Sequence, residues 1–194
     1  MQQRLTENLG AKPSKPQKLT KGHDRTSFES GATSFESGAA ELDEWLRTYS
    51  WQNMRANNAT TYVTTSVDGR VVGYYAMTVA GYGRGAAPEL IAKHAPETVP
   101  CFLLARLAVD RNWHGCGLGW GLLRDAMQRA LLLCESVAAP ALLVHARDDA
   151  ARAFYCHHAD FLQSPVDPLH LFLPMTAIAS RFHPSPTTGP FTGK

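Results

Sequence analysis

The chain predicts an α/β fold built on a mixed sheet, and three stretches carry that expectation. The first is TTYVTTSV, then Asp68-Gly69, then RVVGYYAMTV: two β-rich runs around a dipeptide that favours a tight hairpin turn. The second is CFLLARLAV (101–109), an almost unbroken apolar run of the kind a strand shows when both its faces are covered. The third follows it directly. Glycines at 115, 117 and 119 lead into Leu118, Leu122, Ala126, Ala130 and Leu133 at helical spacing, and then into a second apolar run, ALLVHA (141–146). Strand, helix and strand after an antiparallel hairpin require both parallel and antiparallel neighbours in one sheet.

The remaining elements fit around these. Residues 1–17 hold Lys, Pro, Gln and Ser with little to bury and are expected to form a tail. AELDEWLRTYS (40–50) places Leu42, Trp45, Leu46 and Tyr49 at i, i+3, i+4 and i+7, an amphipathic helix. A short helix is expected over 88–94, after Pro88. Pro140 closes the long helix, Asp148 or Asp149 caps another through Phe154 and Tyr155, and 168–173 forms a last strand. HPSPTTGPFTGK, from His183, reads as a second tail, so the folded domain is expected over 18–182.

With 194 residues, 44% of them apolar, the chain can bury one substantial core. No segment approaches the roughly 18 uninterrupted apolar residues of a membrane helix. The polar N-terminus has no hydrophobic stretch of the secretory kind. Cys101, Cys116, Cys134 and Cys156 are scattered without a CxxC pair, which suggests neither a metal site nor a disulfide framework and makes a cytoplasmic location the default. A net charge of +2 does not by itself imply nucleic acid. Its distribution is more suggestive, because Arg84, Lys93, Arg106, Arg111, Arg124, Arg129, Arg147 and Arg152 gather in the central segment. A solvated basic surface accounts for that clustering equally well.

LARLAVDRNWHGCGLGWGLLRDAM (104–127) carries the most chemistry. Its glycines permit positive φ and close approach of a ligand to the backbone. The free amides and dipole at the start of the following helix form an anion site suited to a diphosphate. A P-loop is excluded because no Lys-Ser/Thr follows the glycines, and the dinucleotide fingerprint would come after the first strand. HGCGLG (114–119) on this strand–turn–helix resembles motif A of the GCN5-related N-acetyltransferases (GNAT), with two departures. His114 stands where Gln or Arg is usual, and Trp120 is bulkier than the small residue expected there.

The resemblance extends over about residues 18–175. HDRTSFESG, LDEWL, TTYVTTSVDGRVVGYYAMT, LARLAVDRNWHGCGLG, ALLVHARDDAARAFYCHHADF and SPVDPLHLFL follow one another as in the GNAT toxins of bacterial toxin–antitoxin pairs. It implies the GNAT fold, a mixed central sheet flanked by helices, and transfer of acetyl from acetyl-coenzyme A to the α-amino group of aminoacyl-tRNA, which blocks translation. The alternative acceptor is a small-molecule amine or a protein N-terminus. It further implies a homodimer, held by a small ribbon-helix-helix antitoxin.

By motif position, Leu107, Ala108 and Val109 lend backbone groups to the pantetheine arm. His114, Gly115, Cys116, Gly117, Leu118 and Gly119 cradle the pyrophosphate, and Tyr155 protonates the departing thiolate. A phenol, with a pKa of about 10, arrives protonated at neutral pH. Arg84, Lys93, Arg106 and Arg147 are candidates for tRNA phosphates. Arg106 has a second reading, as an ion pair with Asp110 or another acid inside the sheet. No residue stands out as the base. His145, His157 and His158 read as structural or solvated, and Cys116 and Cys156 as packing residues.

One feature belongs to no motif. TSFESGA occurs twice without a gap over 26–39, while the pattern needs one copy. A tandem duplication that lengthens the loop before the first helix explains it, with Phe28 or Phe35 redundant. Loop closure makes such an insertion cheap.

Overall fold

A computed structural model describes residues 12–30 and 39–182. Its sheet starts inside the stretch expected to be a tail. β1 (Gln17–Lys18) pairs antiparallel with β2 (Thr60–Thr65), and the Ser14 amide donates to the Thr65 carbonyl at 2.8 Å. Residues 1–11 of the first expected tail and the whole of the second, 183–194, lie outside the described residues. β2 turns at Asp68-Gly69 into β3 (Val71–Gly83), with the Gly69 amide on the Ser66 carbonyl at 3.0 Å. β3 outruns β2 and pairs from Gly73 to Gly83 with β4 (Thr98–Val109).

Two irregularities in β4 make the site. Ala76 pairs with Arg106 but Met77 with Leu104, so Ala105 is an extra residue, a β-bulge. Strict alternation would put Leu104 and Arg106 on one face. The bulge instead leaves Leu104 in the core under the long helix and turns Arg106 and Ala108 to the opposite face. The second irregularity is the end of pairing. β4 runs parallel to β5 (Ala141–His145) only from Cys101–Leu104 against Ala141–Val144. β5 then stays with β7 (His170–Pro174), itself flanked by β6 (Leu162–Gln163), and β4 continues alone on that side to Val109. The sheet order is β1-β2-β3-β4-β5-β7-β6, with β4–β5 its one parallel pair among the described residues.

The helices cover both faces. α1 (Ala39–Glu44) passes through a π-helical turn (Trp45–Tyr49) into α2 (Ser50–Arg55). That turn shifts the helical phase, so Trp45 and Leu46 are buried while Tyr49, expected on the same face, is 44% exposed and Ser50 is buried instead. α3 (Glu89–Ala92) is the short helix after Pro88, and α4 (Leu118–Cys134) is the long one. α5 (Asp149–His158) is capped by Asp148, whose carboxylate accepts from the Ala151 amide at 2.8 Å. α6 (Met175–Phe182) has no counterpart in the sequence reading. Among the described residues no helix is long and apolar enough to cross a membrane.

The duplicated phrase resolves in part. Phe28, in the first copy, is fully buried edge-on to Tyr74 at 5.5 Å. The following Glu29 amide donates to Asp110, and the Ser30 amide to Asp43. Phe28 and Ser30 of the first copy are thus built into the core. Phe35 lies outside the described residues.

On the other face, Arg129 of α4 ties several elements together. It donates to Asp125 at 2.7 Å, to the Tyr75 hydroxyl at 2.8 Å and to the Pro16 carbonyl at 3.2 Å, and it lies over the Tyr62 ring at 4.0 Å. Arg129 and Asp125 keep 29% and 22% of their side chains exposed, so solvent screens the pair in part. Arg129→Met keeps the stem but leaves three acceptors short of a donor. The expected loss is about 2 kcal/mol, read as a fall in Tm of about 4–8 °C in a calorimetric melt.

Candidate active site

The loop after β4 is held by Asp110. Its buried carboxylate accepts from the amides of Asn112 and Glu29 and from the Asn112 side chain. This answers one of the two readings of Arg106, since Asp110 is engaged here and is not its partner. Arg111–Trp113 makes a single 3-10 turn, and the glycines follow. Gly115 and Gly117 have φ of +75° and +79°, and a Cβ on either would meet nothing within 4 Å. Both are needed for their backbone angles, and both border open space. Gly119 differs, because a Cβ there would sit 3.3 Å from Phe154 Cε2. Its role is to let α4 approach α5 closely.

Gly117 caps α4 without a side-chain hydrogen bond, and the Gly121 amide is the first to close onto the Gly117 carbonyl, at 3.0 Å. The amides of Leu118, Gly119 and Trp120 have no partner within the helix and open on the same space. His114 is drawn back to the strand end, its Nε2 2.9 Å from the Val109 carbonyl. Cys116 turns away, its thiol donating to the Trp113 carbonyl at 2.8 Å.

Where β4 and β5 part, two cavities open. The larger, of about 470 Å³, is lined by Leu107, Ala108, Val109, His114, Gly115, Gly117, Leu118 and Gly119 among others. Of the nine residues expected to hold the acetyl donor, eight therefore meet here, and Cys116 is the one whose side chain does not. The smaller, of about 290 Å³, is lined by Leu104, Ala105, Arg106, His145 and Glu41. Leu42, Leu107, Arg147, Ala151 and Tyr155 line both.

Tyr155 thus sits at the junction. It is 7% exposed, with its ring edge-on to Phe154 at 5.3 Å and Phe161 at 5.7 Å. Burial raises its pKa well above the ordinary phenol value, which keeps the proton on Oη throughout the physiological range.

The four candidate cations divide. Arg106 lies over Trp45, guanidinium carbon 4.4 Å from the ring centroid, and it is in none of the ion pairs among the described residues. Arg147 lines both cavities and is paired with Asp148 at 2.7 Å. Arg84 and Lys93 are not brought to the junction. Arg84 is tied to Glu97 at 3.0 Å and its amide to the Glu97 carbonyl. Glu97 is seven residues before Leu104, roughly 20 Å along an extended strand.

Ser30, Leu42, Trp113 and Phe154 also line the larger cavity without having been singled out for it, and so does His158, which was expected to be structural or solvated. Leu42 was visible only as a helix-face leucine, and Ser30 as part of the repeat. Trp120 stacks on His158 at 5.0 Å, and the Arg181 guanidinium carbon lies over the Trp120 ring at 5.0 Å, which accounts for a bulky residue at that position. Burial, then His157 and Arg181, lowers the pKa of His158. Cys101 is buried and its thiol pushed up to about 11, whereas Cys116 and Cys156, expected to be packing residues, are exposed.

A parallel strand pair that parts beside a glycine turn and a helix start, with a protonated phenol at the parting, is an arrangement that can carry acyl transfer from a long, phosphate-bearing carrier. The family model for the acetyltransferase (GNAT) family matches residues 26–161, and the chain belongs to that family. It is 44% identical over 162 residues to a tRNA-acetylating toxin of Mycobacterium tuberculosis (strain ATCC 25618 / H37Rv), covering 84% of this chain and 92% of that protein. Among solved structures, AtaT complexed with acetyl-methionyl-tRNAfMet matches with a TM-score of 0.76 at 25% identity, over 88% of this chain and 99% of that one. AtaTR bound with AcCoA matches with a TM-score of 0.72 at 25% identity, over 86% and 96%.

Proposed function

We propose that this enzyme transfers the acetyl group of acetyl-coenzyme A to the α-amino group of an aminoacyl-tRNA and so arrests translation. The observation that carries the proposal is the junction. One cavity ends at the glycine turn and the start of α4, the other is lined by Arg106, and Arg147 and Tyr155 line both. The 44% identity to a tRNA-acetylating toxin selects charged tRNA over other amines. The resemblance to toxin–antitoxin pairs supports a homodimer and a ribbon-helix-helix antitoxin as its assembly.

The chemistry follows from the residues. The amides at the start of α4 and the turn from His114 to Gly119 hold the pyrophosphate of the donor. Beyond Leu104, β4 presents backbone groups with no partner from β5, and these hold the pantetheine arm and direct the thioester toward the second cavity. Tyr155 gives its proton to the leaving sulfur and recovers one from the nitrogen that has attacked. Arg106, fixed on Trp45, and Arg147 hold the acceptor end by its phosphates, while Arg84 and Lys93 meet the backbone further along.

Arg106→Gln is expected to raise KM for charged tRNA about tenfold with acetyl-coenzyme A affinity unchanged. Arg84→Gln and Lys93→Gln should each lower the slope of affinity against salt by about one while sparing kcat. Steady-state kinetics across a salt series read both. Acetylation indifferent to salt and to all three changes points to a small amine as acceptor.

A further inference from the structure

Acetyl transfer to an α-ammonium group releases one proton that Tyr155 cannot absorb, since the phenol gives one proton to sulfur and takes one back. The titratable or charged side chains lining the acceptor cavity are Glu41, Arg106, His145, Arg147 and Tyr155. Arginine is not a base in a protein, and Tyr155 is held protonated. Glu41 is exposed in the first turn of α1, and carboxylates as a class are weak bases toward an ammonium group. His145 remains.

It is the last residue of β5, placed where β4 departs. Its ring stacks on His170 with centroids 4.0 Å apart. His170 is itself fixed, with Nδ1 2.9 Å from the Tyr82 hydroxyl and Nε2 3.5 Å from Asp167. The neighbouring ring therefore orients His145 from one face, and no described residue hydrogen-bonds either of its nitrogens. Burial, and then the adjacent His170, lower its pKa from the ordinary histidine value, with Asp167 opposing, so the imidazole is neutral at pH 7. Arg106, Arg147 and Glu41 are the other charged groups on the cavity wall.

We infer that His145 is the proton acceptor of the reaction, taking the proton of the bound α-ammonium before its nitrogen attacks. The inference rests on an aminoacyl ester as acceptor. In sequence, the N–H⁺ proton passes to an imidazole nitrogen of His145. The freed lone pair forms the C–N bond and the C–S bond breaks. Tyr155 protonates the sulfur and is reprotonated from nitrogen, and the imidazolium releases its proton to water. One proton leaves per turnover, and no oxidant or further reactant is needed.

The test is the pH dependence of single-turnover acetylation of charged tRNA, at saturating donor, for the native enzyme and His145→Gln. Without the imidazole, the rate must follow the amine's own titration. The variant should therefore lose about tenfold to a hundredfold at pH 6.5 and come back to within a few-fold of native at pH 8.5. Added imidazole should restore His145→Ala at pH 6.5. Unchanged acetyl-coenzyme A affinity by calorimetry certifies the fold, and His145→Asn serves where Gln fails that check. A variant profile parallel to native, with no imidazole rescue, overturns the role of His145 and leaves the tRNA reading intact. Native enzyme that leaves charged tRNA unacetylated overturns the tRNA reading, and this inference with it.

Discussion

Tyr155→Phe should lower kcat by about 10²–10⁴-fold and leave acetyl-coenzyme A affinity unchanged. The ring keeps its contacts with Phe154 and Phe161, and only the hydroxyl is removed. Tyr155 lines both cavities, so removing its hydroxyl leaves the ring packing in place. Its burial raises the phenol pKa, which suits a group that must arrive protonated and give its proton only as the thiolate develops. An interaction realised only at that stage appears in kcat, not in ground-state binding. Rapid-quench kinetics, with calorimetry for the donor, separate the two. Native turnover in Tyr155→Phe would reduce Tyr155 to a core aromatic.

Gly117→Val should abolish donor binding while the protein still melts cooperatively. At φ +79° a β-branched residue is strained, by about 1–2 kcal/mol or more. A side chain there would also project into space that is empty for 4 Å around the Cβ position, beside the free amides of α4. The strain falls on a surface turn, and the steric loss on the phosphate. Gly119→Val offers an internal comparison. There the added atoms meet Phe154, so the expected damage is to the packing of α4 against α5 and to stability. Calorimetric titration with acetyl-coenzyme A distinguishes the two outcomes. Native affinity in folded Gly117→Val would contradict the cradle.

The hairpin, the buried strands, the glycine turn and the Asp148 cap were legible because each rests on local chemistry: a turn dipeptide, an apolar run, a required backbone angle, a side chain reaching its own helix. The bulge at Ala105 was not legible. It arises from the pairing of Met77 with Leu104 and Ala76 with Arg106, and nothing in FLLARLAV marks it. For the same reason Trp45, which meets Arg106 only through the tertiary fold, was not foreseen as its partner. Tyr49 was misplaced by the π-helical turn, since strict 3.6-residue periodicity assumes an unbroken helix. The parting of β4 and β5 decides where both cavities lie, yet it depends on where β5 stops pairing, not on its composition. Arg84 and Lys93 show the limit of grouping charges by sequence proximity, because the length of β4 separates them from Arg106.

The most direct measurement is made on the product. Purified enzyme is incubated with labelled acetyl-coenzyme A and a pool of charged tRNAs, and the tRNA is then digested to its terminal aminoacyl-adenosine and weighed by mass spectrometry. The account predicts one acetyl group on the α-nitrogen of the aminoacyl moiety, absent from uncharged tRNA and from Tyr155→Phe reactions. Label confined to free amines or protein N-termini, with the aminoacyl-adenosine unmodified, would contradict it.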